Sequence, residues 1–239
     1  MRKIMSTEDR KTYVVRERIS ETPSVSTLRL ESTDNNLPAY VSGQFITVYV
    51  SETGESEGRA YSISSSPEEE ALHITVKAVG KCSNRLCSMN FGDTLTASLP
   101  YGYFYSESDK SPLVMLASGI GITPFRSIIR SAAKNTPSRK LVLCYTNETV
   151  EDIVFRKEFD ELQKRNDSID INYFITREED TPQYMIKGRM NADIILKKIE
   201  NLDSPEFFIC GSISFVRDLW RGLRNAGIQE ESMYTEAFF

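Results

Sequence analysis

Two short stretches of this chain carry residue types suited to chemistry on a bound nucleotide. The first, ASGIGITP at 117–124, places Gly119 and Gly121 between an apolar run and a helical pattern. Glycines there allow a tight turn and close approach of the backbone to a pyrophosphate. The helix that follows presents unpaired N–H groups and the positive end of its dipole. Thr123 adds a hydroxyl, and Pro124 suits the first helical turn. The same pattern also describes a plain strand-to-helix turn. It departs from the common dinucleotide fingerprint, because Pro124 takes the third glycine position and Arg139 stands where an acid would be expected. An ordinary NAD dehydrogenase is therefore disfavoured. The second stretch is GRAYSISSSP at 58–67, with Arg59, then Tyr61, then Ser62, Ser64, Ser65 and Ser66. Taken alone, a strand aromatic beside a surface charge explains the arginine and tyrosine well enough.

Other chemistries have little to work with. His73 is the only histidine of 239 residues and sits in the alternating run LHITVKAV. Histidine-dependent triads and multi-histidine zinc sites are thereby disfavoured. Cys82 and Cys87 are spaced as half of an iron–sulfur ligand set, but the further cysteines of a plant-type cluster are missing, so no metal is expected. The net charge is −5 and there is no Lys/Arg-rich run, which points away from nucleic acid. No stretch approaches 18 uninterrupted apolar residues, and MRKIMSTEDRK lacks the apolar middle of a signal peptide. With four unevenly spaced cysteines, this reads as a cytoplasmic chain with reduced thiols.

The elements that must position these residues fall into two groups. KTYVVRERISE, VSTLRLES, GQFITVYVS, AYSIS, LHITVKAV and DTLTASLP read as strands separated by turn clusters such as TDNNLP and ETGESEG. Six short strands at this spacing predict a small antiparallel β-barrel, with SNRLCSMN as a helix plugging one end. After the polar SESDKSP the period changes. PLVMLAS, KLVLCYT, DINYFIT and EFFICGS are buried-strand runs that alternate with helical patterns, and ESMYTEAFF closes the chain as an edge strand. Alternating strands and helices predict a parallel α/β sheet. The expected division is a barrel over 1–108 and a nucleotide-binding α/β domain over 109–239.

A barrel bearing RAYS, followed by an α/β domain bearing GIGITP, resembles the ferredoxin–NADP reductase family. YVSGQFITV, GKCSNRL, ICGS and YTEAFF resemble further segments of that family in the same order. The resemblance implies that Arg59 pairs with the pyrophosphate of FAD, Tyr61 lies against the isoalloxazine ring and Ser62 hydrogen-bonds near flavin N5. Those residue types suit the roles: a guanidinium fork matches phosphate, a phenol ring stacks, and a small hydroxyl fits beside a reacting atom. Gly80, Cys82 and Ser83 fall in the segment that caps the flavin phosphates. Cys210 and Gly211 fall where the family places the nicotinamide C4 and leaves room for its ring. Glu236 falls near the reacting centre, and Phe238, or else Phe239, over the flavin face opposite Tyr61. PYGYFY supplies aromatics for the adenine.

The implied activity is that of an FAD-dependent NAD(P)H reductase with Ser62, Cys210, Glu236 and Phe238 at the reacting centre. Thr176 and Arg177 resemble the pair that holds the 2′-phosphate in NADPH-using members, and Arg189 adds a second charge. NADPH is favoured over NADH, although Glu178, Glu179 and Asp180 oppose a phosphate. No fused iron–sulfur segment is recognisable, so a separate ferredoxin- or flavodoxin-type acceptor, or an oxygenase component, is expected. Reduction of free flavin or ferric chelates, and service as a subunit of a larger electron-transfer complex, are the alternatives.

Overall fold

The computed structural model describes residues 10–49 and 58–238. The N-terminal lead-in, most of the ETGESEG turn and Phe239 lie outside the described residues. Six strands form the first sheet: β1 (Arg10–Thr22), β2 (Val25–Ser32), β3 (Phe45–Tyr49), β4 (Arg59–Ser62), β5 (Leu72–Lys77) and β6 (Thr94–Ser98). They pair antiparallel in the order β4-β3-β6-β1-β2-β5. A bridge between Ile63 and Ile74 joins the two edges and closes the barrel. Alternation drives this arrangement: in β3 Ile46 and Val48 face inward between half-buried neighbours. Irregular pairing after Val15 and after Ser20 bends β1 around the core. Helix α1 (Lys81–Cys87) covers one end with Leu86, as the SNRLCSMN pattern predicts, but starts two residues earlier.

The second sheet is parallel, in the order β10-β9-β8-β7-β11-β12. Its strands are β7 (Leu113–Ser118), β8 (Leu141–Asn147), β9 (Ile169–Ile175), β10 (Ile186–Lys187), β11 (Glu206–Ser212) and β12 (Met233–Phe238). Helices α2 (Thr123–Asn135), α3 (Arg156–Arg165), α4 (Ala192–Lys198) and α5 (Ile213–Asn225) cover it. Every side chain of β8 is buried, as expected of a strand covered on both faces. Successive connections from β7 run toward β8 on one side, while β11 lies on the other. The strand order therefore reverses at β7, where ligands bind in such sheets. The two-residue β10 was not foreseen, being too short to carry a period. Helix α3 begins three residues later than its pattern suggests, because Phe155 adopts a left-handed conformation (φ 62°) before it.

The two sheets are joined by an irregular stretch from Leu99 to Pro112 that is itself a packing element. Within PYGYFY, Tyr101 pairs with Phe45 of the barrel at 4.2 Å between ring centroids. Phe104 is buried between Phe125 of α2 and Phe208 of β11, at 5.6 and 5.2 Å. Of the four aromatic rings in this stretch only Tyr103 is strongly exposed (86%) and open to a ligand ring. Arg139 donates to the carbonyl of Ser111 and the hydroxyl of Ser106, both at 2.8 Å, and so ties down the same stretch. Truncating Phe104→Ala is expected to cost about 3–5 kcal/mol in a denaturant titration, the usual range for a buried phenylalanine. Tyr103→Ala is expected to leave stability within about 0.5 kcal/mol, as for an exposed side chain.

Candidate active site between the barrel and the parallel sheet

The GIGI turn is a single turn of 3-10 helix, Gly119–Ile122, running directly into α2. Gly119 takes φ +53° with open space where a side chain would stand. Gly121 is required for a different reason: a Cβ there would lie 2.3 Å from the backbone carbonyl oxygen of Cys210. The turn is thus pressed against the end of β11, and the two segments read as pyrophosphate loop and reacting strand share one backbone contact. Thr123 is buried, and its hydroxyl donates to the carbonyl of Ile120 at 3.1 Å. This bond shapes the turn at the start of α2. Pro124 is likewise buried at the start of α2.

A cavity of about 830 Å³ opens beyond the carboxyl ends of the parallel strands. Gly119, Thr176, Arg177 and Arg189 line it, as the sequence suggests for a dinucleotide site. Arg177 forms an ion pair with Glu148 at 2.9 Å. Thr176 donates to the carbonyl of Asn147. The Glu178 carboxylate is turned away to accept the Val150 N–H at 2.7 Å. Lys77, Ser24 and Thr22 of the barrel, and Asp218 of α5, also line the cavity. The sequence carries no signal for these, since their approach depends on how the two sheets meet.

At the end of the sheet, Cys210 and Glu236 are direct neighbours in the β11–β12 register. Burial pushes the Cys210 thiol well up, with the Glu236 charge adding to it, so the sulfur stays protonated at neutral pH. Burial alone raises the Glu236 carboxyl from 4.5 to about 7. Phe238 packs against the core cluster that includes Cys210. The Cβ direction of Gly211 meets Ser118 and Phe215 at 2.8 and 2.9 Å. The close packing of the strand's own neighbours thus requires a glycine at this position.

On the barrel, β4 presents Arg59 exposed, Tyr61 half-buried and Ser62 buried. The Tyr61 hydroxyl reaches the Cys82 sulfur at 3.7 Å, which joins β4 to the opening of α1. Ser83 accepts from the N–H groups of Val79 and Gly80 at 3.0 and 2.9 Å and donates back to the Gly80 carbonyl. Its hydroxyl therefore caps its own turn and fixes the shape of the segment that opens α1. Gly80 is extended, with no atom near its missing side chain. One feature is compatible with bound FAD: the buried Ser62 hydroxyl has no hydrogen-bond partner among the described residues, on the strand that carries Arg59 and Tyr61. Leaving such an atom unpaired costs about 1–3 kcal/mol, so a ligand acceptor or donor is called for.

Comparison with known proteins agrees with this geometry. Residues 12–105 match the oxidoreductase FAD-binding domain, and residues 115–220 match the oxidoreductase NAD-binding domain. Ferredoxin–NADP reductase B of Sorangium cellulosum is 28% identical over 229 residues, covering 90% of this chain and 92% of the relative. A flavohemoprotein of Rhizobium meliloti is 29% identical over 244 residues, covering 95% of this chain and 60% of the relative. The chain thus spans about three fifths of the length of the flavohemoproteins it matches. Among solved structures, the FAD/NAD-binding domain of a nitric oxide dioxygenase from Vibrio cholerae superposes with a TM-score of 0.84 at 24% identity, covering 95% of this chain and 98% of that one. A ferredoxin NADP+ reductase from Neisseria gonorrhoeae with bound FAD and NADP gives 0.81 at 22% identity, over 97% and 99%. Fold and domain matches together define an oxidoreductase FAD-binding domain followed by an oxidoreductase NAD-binding domain. Within that class the chain is similar to a ferredoxin–NADP reductase over nine tenths of both lengths. Among the described residues no helix is long and apolar enough to cross a membrane.

The raised Glu236 carboxyl has a thermodynamic consequence. The folded state holds this proton up to about pH 7, whereas the unfolded chain releases it near 4.5, so stability declines as pH rises across that window. In flavin-free protein, Glu236→Gln is expected to gain stability relative to the parent as pH goes from about 5 to about 8, read from urea midpoints. Equal shifts of both proteins across that range would show that the carboxyl titrates normally.

Proposed function

We propose that the protein oxidises a reduced nicotinamide dinucleotide, with NADPH favoured, and delivers the electrons to a separate ferredoxin- or flavodoxin-type protein. Residues 1–108 hold the flavin in this reading, and 109–239 hold the nicotinamide. Bound FAD supplies the ability to accept a hydride and release electrons one or two at a time. Arg59, with the turn that opens α1, holds its pyrophosphate. Tyr61 and Phe238 would supply the aromatic rings that hold its isoalloxazine. Ser62 offers the hydroxyl that the fold leaves unpartnered. Cys210 bounds the nicotinamide pocket as a neutral thiol, and Glu236, poised near neutrality, holds or releases a proton there. The GIGI turn receives the dinucleotide pyrophosphate, and Arg177 with Arg189 receives the 2′-phosphate.

The observation that carries this reading is the unpartnered Ser62 hydroxyl on the β4 strand, in a fold whose second sheet brings the GIGI turn against Cys210. The free thiols suit a reducing cytoplasm. A haem protein is the second acceptor reading, supported by the flavohemoproteins of which this chain spans about three fifths. Protein reconstituted with FAD is expected to be bleached anaerobically by NADPH faster than by NADH. A protein that cannot take up FAD sinks the proposal. Arg177→Ala is expected to raise KM for NADPH about tenfold while leaving NADH unchanged, the loss of one charge-assisted phosphate bond. Ferredoxin, flavodoxin and a haem protein, offered in turn to the reduced enzyme, separate the acceptor readings by rate.

A further inference from the structure

The second half of GRAYSISSSP is held from the other domain. Arg126 of α2 donates through Nη1 to the carbonyl of Ser64 at 2.7 Å, and the Ser127 hydroxyl donates to the carbonyl of Ser65 at 2.6 Å. All four residues are buried, with Ser64, Ser65 and Ser127 at 0% exposure. Charge-assisted and dry, the first bond belongs to the strong class. Behind it stands an ion network. Arg126 meets Glu158 at 2.9 Å and Glu69 at 3.6 Å, and Arg130 meets the same two carboxylates at 2.8 and 3.1 Å. Glu69 belongs to the barrel side and Glu158 to α3. On the barrel side, Ser64 N–H donates to the His73 carbonyl, and His73 N–H donates to the Ser65 hydroxyl.

We propose that Arg126 and Ser127 are positioning residues for hydride transfer, fixing the strand that carries Ser62 against the helix that opens at the nicotinamide pyrophosphate turn. The inference rests on the functional reading above. Their two acceptors lie two and three residues beyond Ser62, and the donors lie in the first turns of α2, which begins directly after Gly119–Ile122. The ligand of one domain and the ligand of the other are therefore separated by a short, buried, hydrogen-bonded path instead of a free hinge. The reaction needs this. The C4–H bond of the reduced nicotinamide breaks as N5–H forms on the flavin, and the electron pair travels with the hydride, so the two ring atoms must stay at near-contact distance. Interfaces between domains of one chain ordinarily permit relative motion, and here the buried clamp opposes it.

The test uses Ser127→Ala, Ser127→Thr and Arg126→Lys, with exposed Lys134→Ala on the same helix as control. Flavin-free protein is first compared by hydrogen exchange, then each FAD-loaded protein is mixed anaerobically with excess NADPH. Ser127→Ala and Arg126→Lys are expected to speed exchange at the amides of 64–66. They are expected to lower the limiting rate of flavin reduction about tenfold or more, as misplacement of reacting atoms does. Flavin affinity and the nucleotide dissociation constant should stay within about twofold, with Ser127→Thr restoring much of the rate. Faster exchange with an unchanged limiting rate would make the clamp structural only and overturn the proposal, as would unchanged exchange. A parent protein that binds FAD but is reduced by neither nucleotide would overturn the functional reading, and this proposal with it.

Discussion

The grip of α2 on the segment Ser64–Glu69 is the contact on which the two-domain arrangement depends. Elsewhere the barrel and the sheet each bury their own core, with Val25 of β2 and Phe104 of the connecting stretch packing into the core of the sheet. At the clamp, by contrast, backbone carbonyls of one domain receive side-chain donors of the other in a water-free setting. Unpaired, those carbonyls and that guanidinium would each carry a desolvation cost. The interface therefore has one well-defined register, as a hydride-transfer site between two domains requires. His73 illustrates how the surroundings adapt: it is half-buried beside Arg126 and Arg130, and its pKa is pushed down to about 4 by desolvation and by those charges. It remains neutral next to two arginines and adds no repulsion.

A second constraint acts at the strand ends. Gly121 lies against the Cys210 carbonyl, and Gly211 against Ser118 and Phe215, so β7, β11 and the GIGI turn are packed backbone to backbone. Close packing here brings the first βα turn of the sheet beside the strand that bears the thiol. It also explains why Cys210 and Glu236 are dry enough for their proton affinities to rise. The same burial that stabilises the parallel sheet tunes the two groups nearest the proposed reacting centre.

Several of the residues singled out by type turned out to serve the fold first. Ser83 and Thr123 use their hydroxyls within their own turns, and Arg139 secures the connecting stretch. For the two hydroxyls, local bonds to nearby backbone groups form at small entropic cost. Backbone N–H groups of these turns, and side chains farther out such as Arg177 and Arg189, are what remain for phosphates.

Among the described residues, periodicity in the amino-acid sequence was enough to place eleven of the twelve strands and the five helices, because alternation and helical spacing report directly on which face is buried. The short motifs RAYS, GIGITP, ICGS and YTEAFF located the cofactor-facing ends of those elements, because glycines, an isolated arginine and end-strand polar residues depart from what packing alone would select. Three things depended on the tertiary structure. The barrel's contribution to the nucleotide cavity through Lys77 and Thr22 arises only when the sheets meet. The sorting of PYGYFY into one core ring and one exposed ring follows from the path of the connection. The partnership of Arg126 and Ser127 with carbonyls 62 residues away has no local signature at all, since a donor's sequence neighbours say nothing about a backbone acceptor in another domain.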